Sequence, residues 1–460
     1  MRRRAHTVLA FLSTLTLLVQ VAGAEPVQLA ESPADLRVFQ VRTLASTTGK
    51  LVTLEEPGKT KDLPIEATAS FAFLERRLPP AGRDALAYRA IRDFSTAQMK
   101  ARIEGEETGL ALPETSSLVV TSGRLQGLES YSLRTLLTRD HIDLLNIPGD
   151  SLGLIAALPD TTVDVDSEWV VPEWAAQLLA GIEAVESARV TGKVLSIDNQ
   201  TARLQLSGTV QGMQEGAKTT VQIQGEIGYS LAGQYLQAAR LKYSIESGIG
   251  AVSPGVNAEV NVTVTRTPSA DAGRITDAVV EAIPLEVPER ALQLVFDAPP
   301  WNARVRHGRG WYVFHAVLDQ PPKVAILRLV EQGSLICQCI LSPIPDAAPG
   351  QHTPVEQYEQ DITTVLGKSL KGIARRQVTP LTDGRNLVEV VAQGEVEVNG
   401  KDKAGQAAVL QIPMEWRYYI VADRSGRQMS FVFAVEQALT EQLADRDRAL
   451  VESLEFLAPR

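Results

Sequence analysis

Residues 202–207 are Ala-Arg-Leu-Gln-Leu-Ser, an alternation of apolar and polar side chains that decides the fold of the first half of the chain. The same alternation recurs in residues 221–227, 239–245 and 260–264. Because neighbouring side chains of a strand point to opposite faces, the pattern predicts strands with one buried and one wet face, which is typical of antiparallel sheets. Turn-forming residues separate these runs, so residues 189–265 are predicted to form a meander of four or five strands.

The chain before this meander is more varied. Residues 65–73 alternate in the same way and predict a further strand, whereas residues 136–158 predict short helical or irregular connections. A helix is predicted to begin at Pro172, because apolar residues then recur at helical spacing along one face. These apolar residues are Trp174, Leu178, Ile182 and Val185.

The character of the chain changes after residue 266. Residues 267–290 hold several prolines and predict a linker. Beyond it, predicted strands surround a helix with Thr353, Pro354 and Glu356 in the pattern of a capping box, and a second helix ends the chain. The predicted fold class is therefore α+β, with an antiparallel β-rich domain carrying one or more helices at residues 25–266 and an α/β domain at residues 291–460.

The first 24 residues predict a secretory signal peptide. Arg2, Arg3 and Arg4 precede an uncharged apolar run at residues 8–21, and Ala22-Gly23-Ala24 ends the segment. Fourteen residues of helix span only about 21 Å, too little for a hydrocarbon core of about 30 Å. We therefore expect cleavage after Ala24, export to the periplasm or the cell exterior, and no transmembrane span in the mature chain.

Charge and cysteine content narrow the expected partners. The formal net charge of −10 disfavours binding to nucleic acid, because both would be negative. Cys337 and Cys339 alternate on a predicted strand, about 6.5 Å apart along it, which is beyond ordinary disulfide reach. They are predicted to be two core residues, and no cofactor is expected.

The most conspicuous motif is Gly149-Asp150-Ser151-Leu152-Gly153. It fits the G-x-S-x-G pattern of a nucleophile elbow, and its first four letters match the signature of GDSL hydrolases. The G-x-N-D and D-x-x-H blocks of those hydrolases are missing, and a serine without a positioned base is a weak nucleophile. A hydrolase using Ser151 is therefore kept as an alternative only.

Two charged groups are further candidates. Clustered carboxylates could bind a hard cation, although they also suit a solvated strand end. They are Asp160, Asp164, Asp166 and Glu168. Arg304, Arg306 and Arg309 could form an anion patch, or their stems could cover apolar surface in a hairpin. The histidines show no zinc-binding spacing, so no metal ligand is predicted.

Two regions resemble known families. The helix after Thr353, residues 414–421 with the hairpin into 429–433, and the terminal segment 447–454 resemble the PsbP-like α/β/α sandwich, whose members are mostly binding or assembly modules. The N-terminal part, through residues 142–148, 165–169 and 252–256, resembles uncharacterised exported proteins of planctomycete-type bacteria. Its sheet is also similar to the curved, half-open sheet of periplasmic lipoprotein carriers, which implies an apolar groove.

These observations predict an exported, non-enzymatic binding or interaction protein of unknown ligand. The expected partner is an envelope protein or an apolar small molecule. One alternative is a periplasmic carrier that holds a lipid or other apolar ligand between the N-terminal sheet and the Trp174 helix. The other is the hydrolase that would use Ser151.

Overall fold

The computed structural model describes residues 26–32, 35–56, 58–146, 148–401 and 407–458. Strands hold 56% of the described residues and helices 16%. The strand pairs of the sheets are antiparallel. The prediction of an α+β molecule with a PsbP-like α/β domain is therefore wrong, and the protein is mainly antiparallel β-sheet. The signal peptide predicted at residues 1–24 lies outside the described residues.

The larger sheet has twelve strands and is built almost entirely from long hairpins. Numbered along the chain, its strands are β2 (Val38–Glu56), β3 (Lys59–Arg77), β4 (Arg89–Ile103), β5 (Glu106–Ala111), β6 (Leu118–Arg124), β7 (Gly127–Ser132), β9 (Glu168–Val170), β10 (Ala184–Ile197), β11 (Thr201–Gln214), β12 (Ala217–Ser230), β13 (Tyr235–Ser247) and β14 (Gly255–Ser269). Their order is β7-β6-β4-β3-β2-β14-β13-β12-β11-β10-β9, and β5 also pairs with β4. The predicted meander is confirmed as β10 to β14.

Three helices pack on one face of this sheet, which we call the inner face. They are α1 (Arg139–Leu145), α2 (Ser151–Ala156) and α3 (Glu173–Ala180). Helix α3 contacts β7 near one end of the sheet and β10 and β11 near the other end. Strands β7 and β10 would lie about 43 Å apart in a flat sheet, at about 4.8 Å per strand, whereas an eight-residue helix is about 12 Å long. The sheet therefore curls around its helices.

One end of the curled sheet is closed by the chain's first described residues. Strand β1 (Val27–Gln28) pairs with β8 (Thr162–Val163), and Leu29 is fully buried. The Tyr229 hydroxyl donates to the carbonyl of Ala30 over 3.0 Å. This segment thus fixes the N-terminal residues onto β12 and the inner face.

The second large sheet has seven strands in the order β17-β18-β19-β23-β22-β21-β20. They are β17 (Trp311–Val317), β18 (Val324–Glu331), β19 (Ser334–Ile344), β20 (Leu370–Pro380), β21 (Asn386–Lys401), β22 (Ala407–Ala422) and β23 (Gln428–Glu436). Helix α6 (Val355–Leu366) packs on one face. The other face packs on α7 (Thr440–Leu443), α8 (Arg446–Glu452) and a small sheet of β15 (Leu294–Ala298), β16 (Ala303–His307) and β24 (Glu455–Phe456).

The two large sheets are joined by backbone and side-chain contacts. Residues Leu137 and Leu294 form a parallel bridge between the two parts. The Arg309 side chain donates to the carbonyl of Ser130 over 2.6 Å, and Arg328 donates to the carbonyl of Ala251 over 2.5 Å. The segment between the sheets carries α4 (Asp277–Glu281) and α5 (Glu289–Leu292), with Ile275 fully buried. The domain boundaries set from the sequence stay predictions.

Two local predictions need correction. Helix α3 ends at Ala180 because Gly181 adopts a left-handed conformation with φ of 69°, so Val185 lies on strand β10 and not on the helix. The capping box at Thr353 does not form, since Thr353 bonds to the Gln428 side chain and α6 lacks a side-chain cap. The end of α3 is thus set by a local glycine, and the start of α6 by a contact from a distant strand.

Candidate functional site

Ser151 is the first residue of α2 and is buried against the inner face. Asp150 caps the helix by accepting the backbone N–H of Leu152 over 2.9 Å. The Ser151 hydroxyl donates to Oε2 of Glu75 over 2.5 Å and accepts from Arg92 over 3.1 Å. The hydroxyl is therefore held between a carboxylate and a guanidinium of the sheet.

Those two groups belong to a row of buried charges that crosses the inner face. Glu31 pairs with Arg266 at 2.5 Å, and Arg266 lies 3.6 Å from Glu75. Glu75 pairs with Arg92 at 3.0 Å, and Arg92 pairs with Asp150 through two hydrogen bonds of 2.6 and 2.7 Å. We call these five residues the ionic row. It ties the N-terminal segment and α2 to strands β3, β4 and β14.

The ionic row is stabilised by its surroundings as well as by pairing. The guanidinium of Arg266 stacks over Phe39 at 4.3 Å, and that of Arg92 over Phe73 at 5.1 Å. Burial would lower the pKa of Arg92, but Asp150 and Glu75 outweigh it and raise that pKa. The row thus holds its charges by mutual pairing.

A cavity of about 20 Å³ beside Ser151 has room for about one water molecule. Its lining combines the polar groups of α2 with aromatic rings of the sheet. The lining residues are Thr43, Phe71, Phe73, Arg92, Phe94, Leu145, Asp150 and Ser151. The described hydrogen-bond partners of Ser151 are Glu75 and Arg92, whereas His141, His307 and His352 bond to Thr138, Gly308 and Thr353, and His315 is exposed on the other sheet. The arrangement orients the serine without providing the imidazole base of a hydrolase.

The acidic residues predicted as a cation site do not converge. Lys193 pairs with Asp166 at 3.2 Å and lies 3.7 Å from Glu168. Asp164 accepts the N–H of Val165, and Asp160 is exposed. Within the described ranges, no group of three or more His, Cys, Asp or Glu side chains is placed to hold a metal ion.

The predicted arginine patch is divided among separate partners. Arg304 pairs with Asp297 at 2.5 Å and Arg306 with Glu455 at 3.1 Å. Arg309 is instead largely buried at the contact between the two sheets, where it donates to the carbonyls of Leu292 and Ser130. Burial lowers the pKa of Arg309 to about 10. Cys337 and Cys339 are free, buried thiols, as predicted.

A different surface extends along the inner face past α1, toward the β2–β3 and β4–β5 turns. Here the residues that point inward are uncharged and only half-buried, whereas Phe71 and Phe73 farther along the same face are buried. We call this surface the apolar wing. It consists of Thr47, Leu51, Leu63, Ile65, Ala67 and Ile103.

Strand register places the wing residues side by side. Ala67 pairs with Thr47 on one side, and Ile65 pairs with Ile103 on the other. Residues paired across strands point to the same face, so these side chains form one continuous apolar surface. The sequence had indicated strand β3 at residues 65–73, but the small residues around Gly49 concealed the length of β2.

A group of acids lies at the same end of the sheet, where α1 meets β17. Tyr312 donates to Glu183 over 3.2 Å, and the guanidinium of Arg139 stacks on the Tyr312 ring at 3.9 Å. Burial and the neighbouring Glu183 raise the pKa of Glu215. Asp143 is exposed, and the pKa of its carboxyl is raised by desolvation and by the nearby acids, against the lowering effect of Arg139. Negative charge is thus in excess here.

Comparisons with known proteins give only distant likenesses. No family model matches the chain, and no curated protein matches it. Part of the chain is similar to the solution structure of cyanobacterial PsbP from Synechocystis sp. PCC 6803. The match has 11% identity and a TM-score of 0.25, and it covers 36% of this chain and 93% of that chain. The outer membrane protein OmpT of Vibrio cholerae gives 7% identity, covers 87% of this chain and 98% of that chain, and has a TM-score of 0.13.

A BenF-like porin from Pseudomonas fluorescens gives 8% identity, 87% coverage of this chain, 97% of that chain, and a TM-score of 0.13. With TM-scores this low, no conclusion about function rests on these likenesses. Of the helices in the described ranges, none is long and apolar enough to cross a membrane.

Proposed function

We propose that this protein is an exported, non-enzymatic binding protein that takes up an apolar ligand on the apolar wing. The observation that carries the proposal is the part of the inner face past the helices, where the wing residues are uncharged and only half-buried. Apolar surface on a sheet is normally covered by another element, and a face left partly open suits a ligand. The cavity beside Ser151, with room for about one water molecule, is too small for such a ligand.

The buried ionic row supports a binding role over a hydrolytic one. Ser151 is engaged by Glu75 and Arg92, and its environment is closed by aromatic rings. A nucleophile must instead meet its substrate and an adjacent base. We therefore assign Ser151 to the attachment of α2 and place ligand binding on the wing.

The compartment is part of the same proposal. The positive start, apolar run and Ala-Gly-Ala ending of residues 1–24 support export with cleavage after Ala24, to the periplasm or the cell exterior. The resemblance of the N-terminal part to uncharacterised exported proteins of planctomycete-type bacteria agrees with this compartment. An envelope protein is the other partner that this location allows.

The test is binding of the uncharged fluorescent probe N-phenyl-1-naphthylamine to the purified protein. Ala67→Asp places a carboxylate on the wing, and we expect it to weaken binding at least about ten-fold, because burying an unpaired charge costs several kcal/mol. Thr68→Asp is the matched control. It lies one residue along β3 on the exposed outer face, paired with Lys100.

Probe binding that is equal in Ala67→Asp and Thr68→Asp would contradict binding on the wing. Circular dichroism and thermal unfolding of both variants would establish that each is folded. Absence of saturable probe binding to the unmodified protein would remove the proposal altogether.

A further inference from the structure

We propose that the ligand of the apolar wing is a single-chain amphiphile with a cationic head group. This inference rests on the proposed function and adds the class of ligand. It follows from the charges at the two borders of the wing. One border is formed by the β2–β3 and β4–β5 turns, and the other by the acids around α1.

The turns that end the wing carry more acids than bases. Three ion pairs bridge neighbouring residues, namely Lys59 with Glu55, Lys61 with Glu104, and Arg102 with Glu107. Among the described residues no ion pair is recorded for Glu56 or Glu106, and both are exposed. Glu104 follows Ile103 of the wing directly, so this excess of two negative charges lies at the mouth of the apolar surface.

The second border is acidic as well. Helix α1 packs on β4 and β5, and it carries Asp140 and Asp143 beside Arg139. Glu183 and Glu215 face the same helix. Four acids thus surround one base, Arg139, and leave a negative potential at this border. A cation near this end would make the potential less negative, and an anion would make it more negative.

The apolar wing and its acidic borders would bind different parts of one ligand. The wing itself offers no charged group, so it suits a hydrocarbon chain, and the head group would lie at its acidic borders. The ionic row cannot take over an anionic head group, because Arg92 and Arg266 are already paired with buried carboxylates. The charge balance therefore favours a cationic head.

The experiment measures displacement of N-phenyl-1-naphthylamine by decyltrimethylammonium and by decanoate, which share chain length and differ in charge, below their micelle concentrations at pH 7.5. We expect the cation to bind about ten-fold more tightly than the anion at about 20 mM salt, and this ratio to fall at about 300 mM salt, where charges beyond several Å are screened. Decanol serves as the uncharged reference.

Charge reversal at the mouth sharpens the test. The double variant Glu56→Lys/Glu106→Lys is expected to bring the ratio to one or below while probe affinity is unchanged. Glu356→Lys/Glu441→Lys is the control, because it changes net charge equally on exposed positions of the other sheet's helices. This control should keep the preference for the cation.

The outcomes separate the two proposals. If the probe binds but decanoate competes as well as decyltrimethylammonium, the cationic class is wrong and the apolar site stands. An equal ratio in the unmodified protein and in Glu56→Lys/Glu106→Lys would also overturn it. Failure of the probe itself to bind would instead remove the proposed function.

Discussion

The twelve-stranded and seven-stranded sheets are both antiparallel, but their interiors differ. The interior of the larger sheet contains the ionic row, whose Arg266 and Glu75 side chains are at most 1% exposed. The described interior of the smaller sheet is mainly apolar, with two buried acids, Asp447 and Glu389, at its side. Asp447 accepts the Tyr419 hydroxyl over 2.7 Å and pairs with Arg417 over 3.1 Å.

This difference follows from how each sheet is covered. The smaller sheet packs both faces against elements that lie close to its strands in sequence, and apolar contact suffices to position them. The larger sheet must also hold α2 and the N-terminal segment, which are distant in sequence from the Glu75, Arg92 and Arg266 side chains that they contact. Buried ion pairs contribute little net stability, and in some proteins they specify how elements dock. We infer that the ionic row fixes the docking of α2 and of residue Glu31.

Removal of Arg266 should give the largest effect. Arg266→Met leaves Glu31 and Glu75 buried without their shared cation, and losses of this kind cost about 3–5 kcal/mol in the free energy of unfolding. Urea denaturation followed by circular dichroism measures this loss. Arg417→Met, at a half-buried position beside Asp447, should lose about half as much.

A second substitution tests the cause. Glu31→Gln added to Arg266→Met removes one of the two carboxylates that lose their cation, so it should restore part of the free energy of unfolding. If Arg266→Met costs no more than Arg417→Met, the two interiors do not differ in the way described.

The pH dependence of stability should also differ between the two regions. His307 is the last residue of β16, in the small sheet that covers the seven-stranded sheet. Burial lowers its pKa from 6.5 to about 4, and Arg139 acts in the same direction. A histidine that is neutral in the folded state contributes stability above pH 6.5 and loses it as pH falls toward 4. The loss should reach about 3 kcal/mol by linkage.

His307→Gln is the control because it cannot gain this proton. The midpoint of urea unfolding, measured from pH 7 to pH 4, should fall less steeply for the variant than for the unmodified protein. Parallel curves would mean that His307 is accessible or protonated in the folded state.

Sequence patterns predicted the elements whose pattern is local. The meander of β10 to β14 follows from alternation alone, and α6 begins directly after Pro354, where the sequence placed its start. The overall class was wrong because strands such as β2 contain Thr, Gly and Lys, which conceal their length. Long strands therefore replaced stretches that had looked like connections.

The ionic row could not be predicted from sequence. Glu75, Arg92 and Arg266 interrupt the apolar alternation and look like solvent-facing positions, yet strand alternation points them inward. Their pairing depends on the register among β3, β4 and β2, and on the order that places β14 beside β2. The Gly149–Gly153 motif suggested a hydrolase serine, whereas Ser151 contacts the ionic row through Glu75 and Arg92.

The smallest of the three effects compares one hydroxyl in each interior. Ser151→Ala removes the bond to Glu75 and Tyr419→Phe removes the bond to Asp447, so each deletes a hydrogen bond to a buried carboxylate, worth about 1.5–3 kcal/mol. We expect the two losses to be similar, because Oε2 of Glu75 keeps its bond from Arg92 and Oδ2 of Asp447 keeps its bond from Arg417. A catalytic serine is commonly held at a cost to stability, so its replacement would leave the protein equally or more stable. Thermal unfolding of Ser151→Ala therefore distinguishes the two roles, and a stabilised variant would return Ser151 to the candidates for chemistry.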